Sequence, residues 1–137
     1  SDRWIQATQE SGRFKSYNWD KTEKVKVTTL DEKIKVYGIP KYIKVDVEGY
    51  EYEVLKGLSV PVQNISIEFT AEDVENSYYC IDYISTLGDF TFNYTTGENL
   101  VLSDQEWKSK DDIKDNLESL CVRENKAWGD LYAKLIV

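Results

Sequence analysis

An α/β domain with a mostly parallel sheet is the fold class this chain predicts, and three stretches carry the prediction. Tyr42 to Val47 is an alternating strand that runs through Glu48 and Gly49 straight into a short helix, roughly Tyr50 to Lys56. Asn64 to Phe69 repeats the strand pattern after that helix, which makes a β-α-β unit. Phe90 to Thr96 alternates again, behind a longer helical stretch from Glu75 to Leu87 that Gly88 closes. Ligands in open α/β sheets sit where the C-terminal ends of strands meet helix N-termini. Asp46 and Glu48 stand at such a junction, and two carboxylates there need a reason.

The totals narrow the class further. With 137 residues, 41% of them hydrophobic and 31% charged, the chain is long enough for one domain with a real core. A formal net charge of −8 would repel a nucleic-acid backbone, so no nucleic-acid partner is expected. No apolar run is long enough to cross a membrane, and no signal-peptide pattern is present. Histidine is absent, so any proton transfer falls to Asp, Glu, Lys, Tyr or water. Methionine is absent too, and the expectation is a portion of something longer. Cys80 and Cys121 lie outside any zinc or CxxC spacing. Each falls on the apolar side of a helical pattern and reads as a small buried hydrophobe, in keeping with a reducing, cytoplasmic setting.

Residues 1–24 form an arm whose Trp4, Phe14, Tyr17 and Trp19 follow no clear period. Packing of those aromatics onto the main body, residues 25–137, is the plain expectation. Val25 and Val27 alternate with lysines as a short strand would. Thr29-Leu-Asp-Glu32 has the spacing of a capping box and opens a helix to about Tyr37, with Gly38 past its end and Pro40 preventing resumption. In the next strand Ile43, Val45 and Val47 face one way and Tyr42, Lys44 and Asp46 the other. In the strand after it, Ile65, Ile67 and Phe69 oppose Ser66 and Glu68. A central parallel strand covered on both faces is nearly all apolar. One face of this sheet is therefore thinly covered or carries a polar site, and Lys44 would pair with Glu68 if the strands are neighbours. Further on, Gly97 to Asn99 is a turn and Leu100 to Leu102 a short strand. Ser103 to Glu106 has a second capping-box spacing, ahead of helical sequence to about Cys121. A closing strand, Asp130 to Val137, is expected beside the Phe90 strand and antiparallel to it.

Three elements, in order and at similar spacing, resemble the FkbM-type methyltransferases: Val27-Thr-Thr-Leu-Asp-Glu32, then Tyr42-Ile-Lys-Val-Asp-Val-Glu-Gly-Tyr-Glu-Tyr-Glu-Val-Leu-Lys-Gly57, then Ile65-Ser-Ile-Glu-Phe69. That family carries a "TLD" element, a "K-(I/V)-D-(V/I)-E-G-x-E-x-x-V-L-x-G" element and an "I-x-x-E" strand. The middle element is the specific one, and the resemblance covers roughly Val25 to Val137. It implies a Rossmann-like class I methyltransferase fold that uses S-adenosylmethionine, usually to methylate a hydroxyl oxygen of a small-molecule acceptor (a sugar, natural product or lipid). The Asp46 strand would be the fourth of seven and the Glu68 strand the fifth. The Phe90 strand and the closing strand would be an antiparallel pair at one edge. One part of the family pattern is missing. Its glycine-rich loop and acidic ribose ligand precede the "TLD" element, whereas no two of the glycines at 12, 38, 49, 57, 88, 97 and 129 stand two apart. The resemblance is therefore to a C-terminal half, whose main cofactor-binding site is absent and which alone should be inactive.

Methyl transfer to an alcohol needs the oxygen positioned and its proton removed. Asp46, Glu48 and Glu68 are the candidates to orient the hydroxyl or act as base. Three oxygen ligands would also suit Mg²⁺, which ranks behind the acid–base role. A purely structural account runs beside this one: Glu48 caps the following helix, Gly49 supplies backbone freedom, Glu68 pairs with Lys44, and Glu51 and Glu53 are helix-terminus charges. A different class of function, a non-catalytic interaction module, also fits, because without the first strands the Tyr42–Val47 edge is bare and invites a homodimer.

Overall fold

The computed structural model describes residues 1–136. In chain order its elements are α1 (Asp2–Glu10), α2 (Leu30–Tyr37), β1 (Tyr42–Val45), α3 (Glu51–Leu55), β2 (Asn64–Thr70), a 3₁₀ turn (Ala71–Asp73), α4 (Val74–Leu87), β3 (Phe90–Tyr94), α5 (Lys110–Arg123) and β4 (Trp128–Leu135). The four strands form one sheet in the order β1-β2-β4-β3. β1 and β2 are parallel, while β4 runs antiparallel to both neighbours. The sheet is mixed, with two of its three ladders antiparallel, where a mostly parallel one is expected. β4 does lie beside β3 in the expected direction, and it also separates β3 from β2. Val137, the last residue of the expected closing strand, lies outside the described residues.

Alternation sorts the sheet into two unlike faces. Ile43, Val45, Ile65, Ile67, Phe69, Leu131, Ala133, Phe90 and Phe92 point to one side, where they join Leu55, Cys80, Ile81, Ile84, Ile113 and Leu117 in a single core. α4 packs across β2 and β4, and α5 packs on β3. The other side is polar. Lys44 shares a register level with Ser66 and Tyr132, and Glu68 with Asp130. Tyr42 Oη and Ser66 Oγ are 2.5 Å apart there, which satisfies the buried Ser66. Lys44 does not pair with Glu68. Its ammonium donates to Asp130 at 2.9 Å, on the far side of β2, and lies 3.9 Å from Asp46.

The capping box at Thr29 is present in full, with Thr29 accepting from the Glu32 amide and Glu32 from the Thr29 amide. Asp31 adds a tie. Its carboxylate accepts from the Ser59 amide at 2.9 Å, and its own amide donates to the Gly57 carbonyl. The "TLD" element thus clasps the turn that ends α3. Cys80 is buried as expected, Cys121 is half-buried, and both thiols are free. No described helix is long and apolar enough to cross a membrane.

Three expected elements are absent. Val25 and Val27 are exposed, at 75% and 83%, and belong to no strand. Their alternation is genuine, but a strand exists only beside a hydrogen-bonding partner. Leu100 to Leu102 is exposed coil for the same reason. The Ser103 spacing starts no helix, because this segment runs beside β3: Ser103 N–H donates to Tyr94, and Lys108 exchanges both backbone bonds with Phe92. Ser109 caps α5 instead, accepting from the Asp112 amide. The arm carries a helix, α1, where only aromatic packing is expected. Trp4 on α1 is buried, while Tyr17 and Trp19 stay largely exposed. A nine-residue helix is marginal by itself. Long-range ion pairs hold the arm in place, Arg3 with Asp73 and Arg13 with Glu72.

Candidate active site

β1 and β2 run parallel and deliver their last residues to the same end of the sheet. Asp46 follows β1 directly, at the level of Glu68 on β2. The chain then turns at Glu48 and Gly49, both in left-handed conformation with φ of 53° and 86°. For Glu48 that conformation is uncommon. For Gly49 it is enforced by crowding as well, since a Cβ there would lie 2.6 Å from Cβ of Trp4.

The turn is held by a residue that composition and spacing assign a lesser role. Glu51, expected as a helix-terminus charge, is 2% exposed. One carboxylate oxygen accepts from the amides of Val47 and Gly49, each at 3.2 Å, and the other accepts from Nδ2 of Asn76 at 2.5 Å. A buried carboxylate with three donors is a fastening, not surface charge. The signal was available: the family pattern quotes an acid at this position, three residues after that of Glu48. Glu48 itself does not cap α3, whose N-cap residue Tyr50 makes no side-chain bond.

This turn gathers the three expected residues. Asp46, Glu48 and Glu68 each offer a carboxylate oxygen within 4.8 Å of the others. Glu68 accepts no hydrogen bond from any described residue, and Lys44 is committed to Asp130. Burial, then the charges of Asp46, Glu48, Glu51 and Asp130, push its pKa up to about 7. Glu48 is raised as well, by partial burial and by Asp46 and Glu51. A carboxyl that titrates near neutrality can take a proton from a bound hydroxyl or return one. The three oxygens also suit a hard divalent cation in type, but proximity alone does not separate that use from proton sharing.

Glu48 and Glu68 open into a cavity of about 290 Å³, walled also by Trp4, Phe14, Thr70 and Trp128. Of the four arm aromatics, Trp4 and Phe14 line it. Their rings lie 5.5 Å apart, centroid to centroid.

Residues 4–94 match the methyltransferase FkbM domain. The matched stretch starts inside the arm, ahead of the motif-bearing region, and ends with β3. Since it spans well over half of the sequence, the chain belongs to the FkbM methyltransferase domain family. No curated protein and no solved structure shows a significant match to the chain.

Proposed function

We propose that the chain is the acceptor side of an S-adenosylmethionine-dependent methyltransferase that acts on a hydroxyl oxygen. The observation that carries this reading is the meeting of Asp46, Glu48 and Glu68 at the shared end of two parallel strands, inside the family match and beside an aromatic cavity. Glu68 is the base. Its carboxylate lies unpaired at the cavity wall and takes the proton that the hydroxyl must lose as the oxygen acquires a methyl group. Asp46 and Glu48, the more exposed pair, accept hydrogen bonds from neighbouring hydroxyls and so set the orientation of the acceptor.

S-adenosylmethionine, the donor that this family generally uses, supplies the methyl group. The residues present do not fit its full grip. Each described turn after a parallel strand lacks the close pair of glycines that such a loop needs, and the turn after β1 is occupied by Glu48 and the packed Trp4. The donor's remaining contacts must come from residues outside these. The unpaired outer edge of β1 agrees with this, because the order β1-β2-β4-β3 places an antiparallel pair at one end and leaves β1 free to take another strand.

The test is calorimetric titration of S-adenosylmethionine into this chain and into a form of the protein with a glycine-rich strand–loop–helix ahead of it. Binding by the longer form alone is expected, with methyl transfer to a polyhydroxyl acceptor that Glu68→Gln abolishes. Tight binding by the 137 residues alone would overturn the division of labour, and methyl transfer undiminished in Glu68→Gln would remove the base.

A further inference from the structure

A second cleft, of about 490 Å³, shares no lining residue with the carboxylate cavity. Its walls come from the start of α1, the start of α3, and α4, and its rings are Tyr50, Tyr52 and Tyr79. The Tyr52 and Tyr79 rings lie 5.6 Å apart, centroid to centroid. Tyr52 is backed by the Lys56 ammonium and by the ring of Tyr83. Tyr50 and Tyr79 are half exposed, so their faces are open to a ligand. The charges in the lining cancel. Arg3 bonds Asp73 and Glu53 bonds Lys56, while the Ser1 ammonium and the Asp2 carboxylate are of opposite sign.

Asn76 also lines the cleft and is only 7% exposed. Its Nδ2 donates to the Glu51 carboxylate, which fixes which way the amide points. Its Oδ1 accepts from no described residue. That atom is not sealed off, because every fully buried side-chain nitrogen or oxygen among the described residues has a partner. The other space beside Asn76 is about 10 Å³, room for one water at most. The free acceptor of Asn76 therefore serves the cleft.

Open ring faces, a nearly buried acceptor and balanced charge select among ligands. An ion of either sign finds no uncompensated countercharge here. A proline-rich segment would lie against the rings, but its backbone has no N–H to give Asn76. A saccharide meets all three conditions. The C–H face of a pyranose lies on an aromatic face, and its hydroxyls donate to Oδ1 or exchange hydrogen bonds with tyrosine hydroxyls.

We infer that this cleft binds a pyranose ring of a neutral saccharide, held against the faces of Tyr50 and Tyr79 with a hydroxyl on Asn76 Oδ1. The inference does not rest on the methyltransferase reading, since none of these residues lines the carboxylate cavity.

The experiment is saturation-transfer NMR of this chain, titrated with cellobiose, maltose and lactose. Sorbitol, which has the hydroxyls but no ring face, and decaproline are the comparison probes. At least one disaccharide should bind, with saturation concentrated on its ring C–H protons, and about fivefold more tightly than sorbitol, the scale of one aromatic contact. Tyr50→Leu and Tyr79→Leu keep apolar bulk and remove the ring, and each should weaken binding by about fivefold on the same scale. Tyr37→Leu, exposed on α2 and outside the cleft, should leave it unchanged. Glu68→Gln should also leave it unchanged. Loss in that variant with none in the tyrosine variants would move the sugar to the carboxylate cavity, which overturns this inference and supports the acceptor reading. Sorbitol binding as tightly as the sugars, decaproline binding in their place, or no binding of any disaccharide would each overturn it as well. Sugar binding in a protein that transfers no methyl group would sink the proposed reaction and leave the cleft's ligand standing.

Discussion

Glu51, the first residue of α3, accepts a 2.5 Å hydrogen bond from Nδ2 of Asn76 on α4, and both side chains are buried. With its other oxygen on the amides of Val47 and Gly49, Glu51 ties the carboxylate-bearing turn to the helix behind the sheet. The position of Glu48 is thus set from α4, by a residue that is not in the lining of the cavity.

Glu51→Ala should therefore cost more than a lost surface charge. It strands two backbone amides and one side-chain amide in a buried setting, for about 3 kcal/mol of stability. Chemical denaturation checks the figure. Glu51→Gln keeps one acceptor oxygen and should fall between that variant and the unaltered chain. A loss below 0.5 kcal/mol, the rough level of a surface substitution, would mean that the turn holds itself.

Acidity and stability are linked through Glu68. Its carboxyl titrates near 7 in the folded chain, above the ordinary value of 4.5. Between those two values the folded state holds more proton than the unfolded one, so stability falls as the pH rises through this window. Asp73, raised to about 6 chiefly by burial, acts in the same direction. Thermal unfolding measured from pH 5 to pH 7.5 should show a decline that Glu68→Gln flattens; these bounds lie about the titration range. Methyl transfer should run the opposite way and rise as Glu68 ionises. A stability curve that climbs across this range would contradict the burial of Glu68.

Gly49 couples the arm to the site. A methyl group there meets Cβ of Trp4 at 2.6 Å and Oγ of Ser1 at 2.8 Å, at a φ of 86° that side chains rarely adopt. Gly49→Ala should destabilise the chain by about 1–3 kcal/mol and lift α1 from its seat, red-shifting the fluorescence of the buried Trp4. An unshifted spectrum would place the cost in the turn alone and leave the arm seated.

The two sheet edges differ in a way that solution behaviour should reveal. β3 is shielded by the backbone pair between Phe92 and Lys108, whereas no described strand pairs with the outer side of β1. Ile39 and Tyr42 are exposed beside that edge. Edge-to-edge pairing of two copies is the expected outcome, read as concentration-dependent dimerisation in sedimentation velocity. A monomer that persists at high concentration would rule the edge out as a contact.

Much of this was legible from pattern. Period-two alternation located β1, β2 and β3, and the Thr29 and Gly38 signals bounded α2, because each is a local rule that the fold obeys. Asp46, Glu48 and Glu68 were readable as a group because parallel neighbours bring equivalent strand ends together. Long-range choices were not readable. Lys44 had two carboxylates within reach on the polar face, and only the placement of β4 shows that it takes Asp130. Glu51 has the same spelling as Glu53, yet one is buried and the other exposed, a difference made by Asn76 twenty-five positions away. Helix α1 escaped because tertiary contacts hold it, with Trp4 seated against Gly49 and Arg3 on Asp73.

The place of β4 bears on how the chain can be made. It is the last strand in sequence and stands between two that precede it. During synthesis β2 and β3 emerge with no neighbour to hydrogen-bond on their facing sides, and they stay so until some forty further residues have followed, an on-the-order-of interval of a few seconds at ordinary elongation rates. Phe92 and Ile67 face no finished core over that time, which is when a chaperone would meet this protein and when crowded copies would cross-pair. Assembly of this sheet waits on its newest strand.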